Sequence, residues 1–196
     1  GHTEIVYVKN QMEFEIIGQT LDDAVGESFD KVAKILDLGY PGGPKIDKLA
    51  SDGSHTYKLP TPMNDDSYNF SYSGLKSAAF NLTNQANMKG EEINKADFAA
   101  SFQEVAIDIL IKKLKRASEN FEHKTISIVG GVSANSLLKQ KASENFDNCL
   151  IPSLIYSTDN AAMIGVVGYH LYNANICVLK YANAKPNISV ETTWKN

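Results

Sequence analysis

Apolar positions change their spacing several times along this chain, and each change marks an element. Residues 4–9 (EIVYVK) and 12–17 (MEFEII) are β-rich runs. In the second, Met12, Phe14 and Ile16 alternate with Glu13 and Glu15, the period of a half-buried strand. Joined at Asn10-Gln11, the two runs read as a hairpin. Thr20 followed by Asp23 reads as a capping box opening a helix over about 20–37. Its apolar face is Val25, Phe29, Val32, Ala33 and Leu36 at helical spacing. Gly39 and the Pro41-Gly42-Gly43-Pro44 turn are expected to end it. Residues 52–67 are polar, carry Pro60 and Pro62, and read as a surface loop.

Residues 68–72 (YNFSY) predict a short strand, and Ser73 a cap for a helix bearing Leu75, Ala78, Ala79 and Leu82. After Gly90 the pattern predicts the longest helix, about 95–118, with a stripe of Phe98, Phe102, Val105, Ala106, Ile109 and Leu110. The lysines near 112–115 suit its C-terminal dipole. Beyond it, residues 125–129 (TISIV) read as a buried strand ending in Gly130-Gly131, and Ser133 as the opening of a helix. Residues 150–156 read as a second strand, with 157–160 opening a last helix through about Tyr172. This strand–helix alternation argues for a parallel α/β core. The tail, 184–196, with Pro186 and Trp194, is weakly patterned.

Composition narrows the class. The 196 residues are 43% hydrophobic and 21% charged, an ordinary globular balance with enough length for a real core. Two cysteines, Cys149 and Cys177, build no disulfide framework, so a reducing, cytoplasmic compartment is expected. No stretch reaches the roughly 18 apolar residues of a membrane span. Net charge is −4, and Arg116 is the one arginine among 19 basic residues, which argues against a dedicated nucleic-acid binder acting alone. The chain lacks an initiator Met and enters a strand pattern at once, so a missing upstream segment is expected.

Three places could carry chemistry. At Val129-Gly130-Gly131-Val132-Ser133-Ala134-Asn135, a strand ending in two glycines brings backbone N–H groups close to a ligand at a helix start, with Asn135 able to donate and accept. Gly-Gly after a strand is more often simply a tight β–α turn. At Ser157-Thr158-Asp159-Asn160, one residue would suffice as a helix cap. Four exceed that need, and Asp159 sits where α/β sheets bind ligands and could hold a cation. On the 20–37 helix, Gly26 leaves space beside the Asp30 carboxylate, suited to a polyol; a solvated Asp30–Lys34 pair is the plain alternative. No His pair at i,i+4, no Cys-x-x-Cys, no phosphate-cradling Gly-x-x-x-x-Gly-Lys and no Gly-x-Ser-x-Gly occurs.

Taken together, GHTEIVYV, LDDAVGESFDKVAKILDLGYPGGPKID, FSYSGLKSA, AASFQEVAIDILIKKLKRA, VGGVSAN and STDNAAMIG resemble, in order and spacing, the tRNA threonylcarbamoyladenosine transferases, formerly called O-sialoglycoprotein endopeptidases. The resemblance runs from residue 1 to about 172. It implies an actin-like, sugar-kinase-like (ribonuclease H-like) α/β lobe with a mixed sheet, flanking helices and helical insertions. Residues 1–172 would form the second, C-terminal lobe, with the last helix crossing toward the first, and 173–196 a tail. The family moves threonylcarbamoyl from threonylcarbamoyl-AMP to N6 of the adenosine beside the anticodon.

Carried over residue by residue, the resemblance implies that Gly1 ends a phosphate-contacting loop and that Asp30, Gly43, Asp47 and Asn135 hold the nucleoside end of the substrate. Asp159 would be the carboxylate ligand of one divalent metal, iron or zinc. The family's other ligands, in a His-x-x-x-His motif, lie upstream of residue 1, so the chain alone is expected to be inactive. Implied partners are tRNA, the synthase supplying threonylcarbamoyl-AMP and, in bacteria, a degenerate paralogue and a small ATPase; ATP or ADP could occupy the nucleotide site. No membrane is implied, and the unpaired lobe face is expected to self-associate. Two alternatives share the pattern: a non-catalytic binding paralogue, expected to lack Asp159 and Asn135, and a small-molecule kinase, against which FSYSGLKSA and STDNAAMIG speak.

Overall fold

The structure, a computed structural model, describes residues 2–176 and 189–191. β1 (Glu4–Asn10) and β2 (Glu13–Gln19) form the expected antiparallel hairpin, with irregularities between Ile5 and Val6 and between Val8 and Asn10. Met12 lies in the turn rather than in the strand, its N–H donating to Asn10 Oδ1 at 3.0 Å. Gly18 is required where β2 passes residue 68: a Cβ there would lie 2.2 Å from the Tyr68 carbonyl oxygen.

The first helix, α1 (Val25–Ile35), starts five residues later than Thr20. Thr20 caps nothing; its hydroxyl donates to the Asp23 carbonyl and holds the turn ahead of the helix. The Val25 N–H is instead taken by Thr3 Oγ1 at 2.9 Å, a partner just ahead of β1 that local sequence cannot show. The apolar face is as expected, with Val25, Phe29, Val32, Ala33 and Leu36 buried. The Pro-Gly-Gly-Pro segment does not merely stop a helix. It opens α2 (Gly42–Ala50), because Pro44 falls in the first turn, where no N–H donor is needed.

The predicted strand at 68–72 contracts to one bridge, Thr20 with Phe70. Helix α3 (Ser73–Lys89) follows, but Ser73 is not its cap. Asp22, fifty residues earlier, accepts from the N–H groups of Tyr72 (2.7 Å) and Ser73 (3.2 Å) and from Ser71 Oγ (2.5 Å). Those bonds hold the Asp22 carboxyl below its usual range against a partial burial that opposes them. α4 (Lys95–Asn120) is the long helix, capped by Asn94, whose side chain accepts from the Ala96 and Asp97 N–H groups.

The lysines of α4 do not occupy its last turn. Lys113 is 2% exposed. Its ammonium donates to Asp65 Oδ1 and the Ser67 carbonyl, both at 2.6 Å, pinning the 52–67 loop to the helix.

These helices enclose one core in which Phe29, Phe70, Tyr72, Phe98, Phe102 and Ile107 are buried, with Phe29 and Phe102 edge to face at 5.1 Å. Beside it, β3 (Ile126–Ser127) and β4 (Cys149–Leu150) pair in parallel as Ile126–Cys149 and Ser127–Leu150, shorter than the strands expected there. After β3 comes a 3-10 turn, Gly131–Ala134, and then α5 (Ser136–Asn145); after β4 comes a 3-10 turn, Leu154–Tyr156, and then α6 (Ala161–Asn173). Ser133 therefore sits inside a turn, and Asn135 is the residue that caps α5. Asn160 caps α6.

The architecture is mixed α/β, with small sheets and six helices among the described residues. Unlike the others, α6 has no buried residue, and Ile164, Val166, Tyr169 and Tyr172 are exposed along it. No helix among the described residues is long and apolar enough to cross a membrane.

Candidate functional site

The parallel pair places two loops side by side beyond the C-terminal ends of β3 and β4, the edge at which open α/β sheets bind ligands. The first runs through Gly130 and Gly131. Gly130 has φ +88° and ψ 173°, a conformation that only glycine adopts without strain, and a Cβ at Gly131 would meet nothing within 4 Å. That leaves the backbone of the turn open to a close approach.

Asn135 closes this loop and is 8% exposed. Its Oδ1 accepts from the Leu138 N–H at 2.9 Å, and its Nδ2 donates to Gln103 Oε1 of α4 at 2.9 Å. The amide is thus fixed at both ends, with one Nδ2 hydrogen and one oxygen lone pair beyond these two bonds.

The structure joins the sequence-predicted nucleoside residues through α2. Asp30 Oδ1 accepts from the Gly42 N–H at 2.7 Å, tying α1 to the start of α2, and Gly43 has open space where a side chain would lie. Asp47, one turn further along α2, accepts from Ser136 N–H (3.1 and 3.2 Å) and Ser136 Oγ (2.6 Å), next to Asn135. Asp30, Gly43, Asp47 and Asn135 therefore follow one another along a chain of contacts. The space expected beside Gly26 is filled: a Cβ there would lie 3.3 Å from Val132 Cγ2, so this glycine lets α1 approach the 3-10 turn. Asp30 pairs with the α2 backbone and not with Lys34.

Asp159 is exposed in the second loop, two residues after the buried Ser157. A lone carboxylate of this kind fits one oxygen ligand of a divalent cation. It does not complete a site, since the described residues contain no group of three or more His, Cys, Asp and Glu able to hold a metal. Cys149, in β4, is a free thiol whose pKa burial pushes up, away from reactivity. Cys177 and Gly1 lie outside the described residues.

Sequence reading missed Gln103 and Ser136, and it placed Ser133 and Ser157 in the two candidate motifs without foreseeing the bond between them. Gln103 left one signal: a polar residue directly after Phe102, on a stretch of α4 whose other buried residues are mostly apolar.

A family model described as tRNA N6-adenosine threonylcarbamoyltransferase matches residues 1–166. The chain belongs to that family. Proteins of the same name are similar to it at 51% identity in Mesoplasma florum (86% of this chain, 55% of that protein) and 49% in Clostridium beijerinckii (97% and 58%). The Thermosipho africanus protein is 47% identical (97% and 59%). The chain thus spans under three-fifths of the length of these threonylcarbamoyltransferases. Within the family match fall Asp30, Gly43, Asp47, Asn135 and Asp159.

Proposed function

We propose that this chain is the nucleotide-binding second lobe of an actin-like tRNA N6-adenosine threonylcarbamoyltransferase. In this reading residues 1–172 form the lobe and α6 runs toward the remainder of the enzyme. The whole protein would transfer threonylcarbamoyl from threonylcarbamoyl-AMP to N6 of the adenosine beside the anticodon, in the cytoplasm. A synthase would supply the substrate and, as the relatives above are bacterial, a degenerate paralogue and a small ATPase would assist. The observation that carries the reading is the pairing of β3 with β4, which sets the loop of Asn135 beside the loop of Asp159. An α6 that is apolar and uncovered supports the placement of further chain against it.

The chemistry follows from the donor set. Asp30, Asp47 and the fixed amide of Asn135 would hold ribose hydroxyls and the base edge of the adenylate. The open glycine turn would let backbone N–H groups approach its phosphate as negative charge develops on the leaving AMP. An exocyclic adenine amine is a weak nucleophile, so holding it in line with the carbamoyl carbon is a large part of the work. A divalent metal, iron or zinc, would be bound by Asp159 with ligands from outside the chain and would supply Lewis acidity. Asp159 alone holds it weakly, so the isolated chain is inactive in this reading.

The test is metal content after dialysis. The full-length protein is expected to retain about one equivalent, its Asp159→Ala variant much less, and the 196-residue chain none. Tight stoichiometric metal in the isolated chain would overturn the assignment.

A further inference from the structure

Two serines that the proposed chemistry does not use hold its two loops together. Ser133 is 0% and Ser157 2% exposed. Ser133 Oγ donates to Ser157 Oγ at 3.2 Å, and Ser157 Oγ lies 3.2 Å from the Ser153 carbonyl and 3.5 Å from that of Pro152. Among the described residues, past the backbone bonds of β3 and β4, this is the hydrogen bond that joins residues 130–135 to residues 150–160. Each hydroxyl has one proton, so the bonds run in a single direction: Ser133 to Ser157, and Ser157 to the carbonyl that precedes the 3-10 turn.

Neither serine is needed as a cap, since Asn135 caps α5 and Asn160 caps α6. Burying a hydroxyl costs free energy unless a hydrogen bond offsets the lost hydration, and here one contact serves both hydroxyls, whereas the buried Ser28 Oγ has no partner among the described residues.

We infer that Ser133 and Ser157 form a latch that fixes the Asp159 loop in register with the Gly130–Asn135 turn, so that disturbing either loop is felt in the other. They are positioning residues, Ser157 lying two positions from Asp159 and Ser133 two from Asn135. Their relevance to catalysis rests on the functional reading above. Without the latch, the 3-10 turns keep their own backbone bonds, Ser133 N–H to the Gly130 carbonyl and Ser157 N–H to the Leu154 carbonyl, but lose their mutual alignment.

The test is amide hydrogen exchange on the full-length protein, read across the latch. Ser157→Ala is expected to speed exchange at the Ser133 and Asn135 amides about fivefold, the size of one net hydrogen bond. Ser133→Ala should do the same at the Ser157 amide, and the double variant should exceed neither single one. Ser157→Thr, which keeps the hydroxyl, should restore the wild-type rates, while Ser143→Ala, on an exposed helix face, should change neither loop. Wild-type exchange in the opposite loop, or a double variant that multiplies the single effects, would overturn the latch. Unimpaired transfer to tRNA by Asp159→Ala would overturn the functional reading and leave the exchange result intact.

Discussion

Lys113 offers a quantitative test of how the long loop is held. It is buried on α4, and its ammonium donates to Asp65 Oδ1 and the Ser67 carbonyl at 2.6 Å and to the Asp65 carbonyl at 3.2 Å. Lys113→Met keeps an unbranched stem and removes the charge. The Asp65 side chain is half exposed, so its carboxylate rehydrates, and the net loss is that of a charge-assisted contact, about 2 kcal/mol.

Lys113→Ala also removes three buried methylenes, at about 0.8 kcal/mol each, for a total of about 4 kcal/mol. At roughly 2–4 °C per kcal/mol for a protein of this size, Tm should fall by about 4–8 °C for Met and about 8–16 °C for Ala. Thermal and urea denaturation followed by far-UV circular dichroism would measure both. Equal losses for the two variants would refute the reasoning, because the stem would then contribute nothing. So would a Met variant as damaging as breaking a fully buried ion pair, about 3–5 kcal/mol.

Gly18→Ala should destabilise by about 1–3 kcal/mol in the same assay, since the new Cβ would collide with backbone at Tyr68. Acid should weaken the fold in a defined window. The hydrogen bonds of Ser71, Tyr72 and Ser73 hold Asp22 low, those of Lys31 and Lys76 hold Asp23 low against partial burial, and Lys113 holds Asp65 down at about 2. Depressed carboxyls stabilise above their unfolded pKa near ~3.9 and lose that contribution as pH falls toward the folded values; urea midpoints from pH 5 to 2 should decline accordingly, and Asp22→Asn should flatten the curve. The uncovered α6 should make the isolated chain self-associate, and Ile164→Glu with Tyr169→Glu should shift its sedimentation toward monomer.

What could be read from the sequence was whatever its neighbours in the chain decide. The hairpin and α4 follow from alternation and from a helical stripe, and both stand within a few residues of where the pattern puts them. Cap assignments failed wherever the partner comes from far away: Thr3 takes the first N–H of α1, whose start shifted, and Asp22 takes those at the start of α3, which did not shift, contacts spanning 22 and about 50 residues. α2 was hidden because Pro-Gly-Gly-Pro reads as a breaker, although proline is harmless in a first turn. At the site, the glycine turn and the polar run 157–160 were visible as unusual chemistry. Gln103 and the bond between Ser133 and Ser157 were not, because a hydroxyl or amide gives no periodic signal and its role depends on which partner the fold brings to it.

The central claim is that the Asn135 and Asp159 loops together form the reaction site of a threonylcarbamoyltransferase. The most direct measurement is transfer by the full-length protein, from threonylcarbamoyl-AMP to the adenosine beside the anticodon of a substrate tRNA, read by mass spectrometry of the digested nucleosides. The expected result is loss of the modified adenosine in Asp159→Ala and a marked fall in Asn135→Ala, with both variants folded. Wild-type modification by either variant would contradict the account.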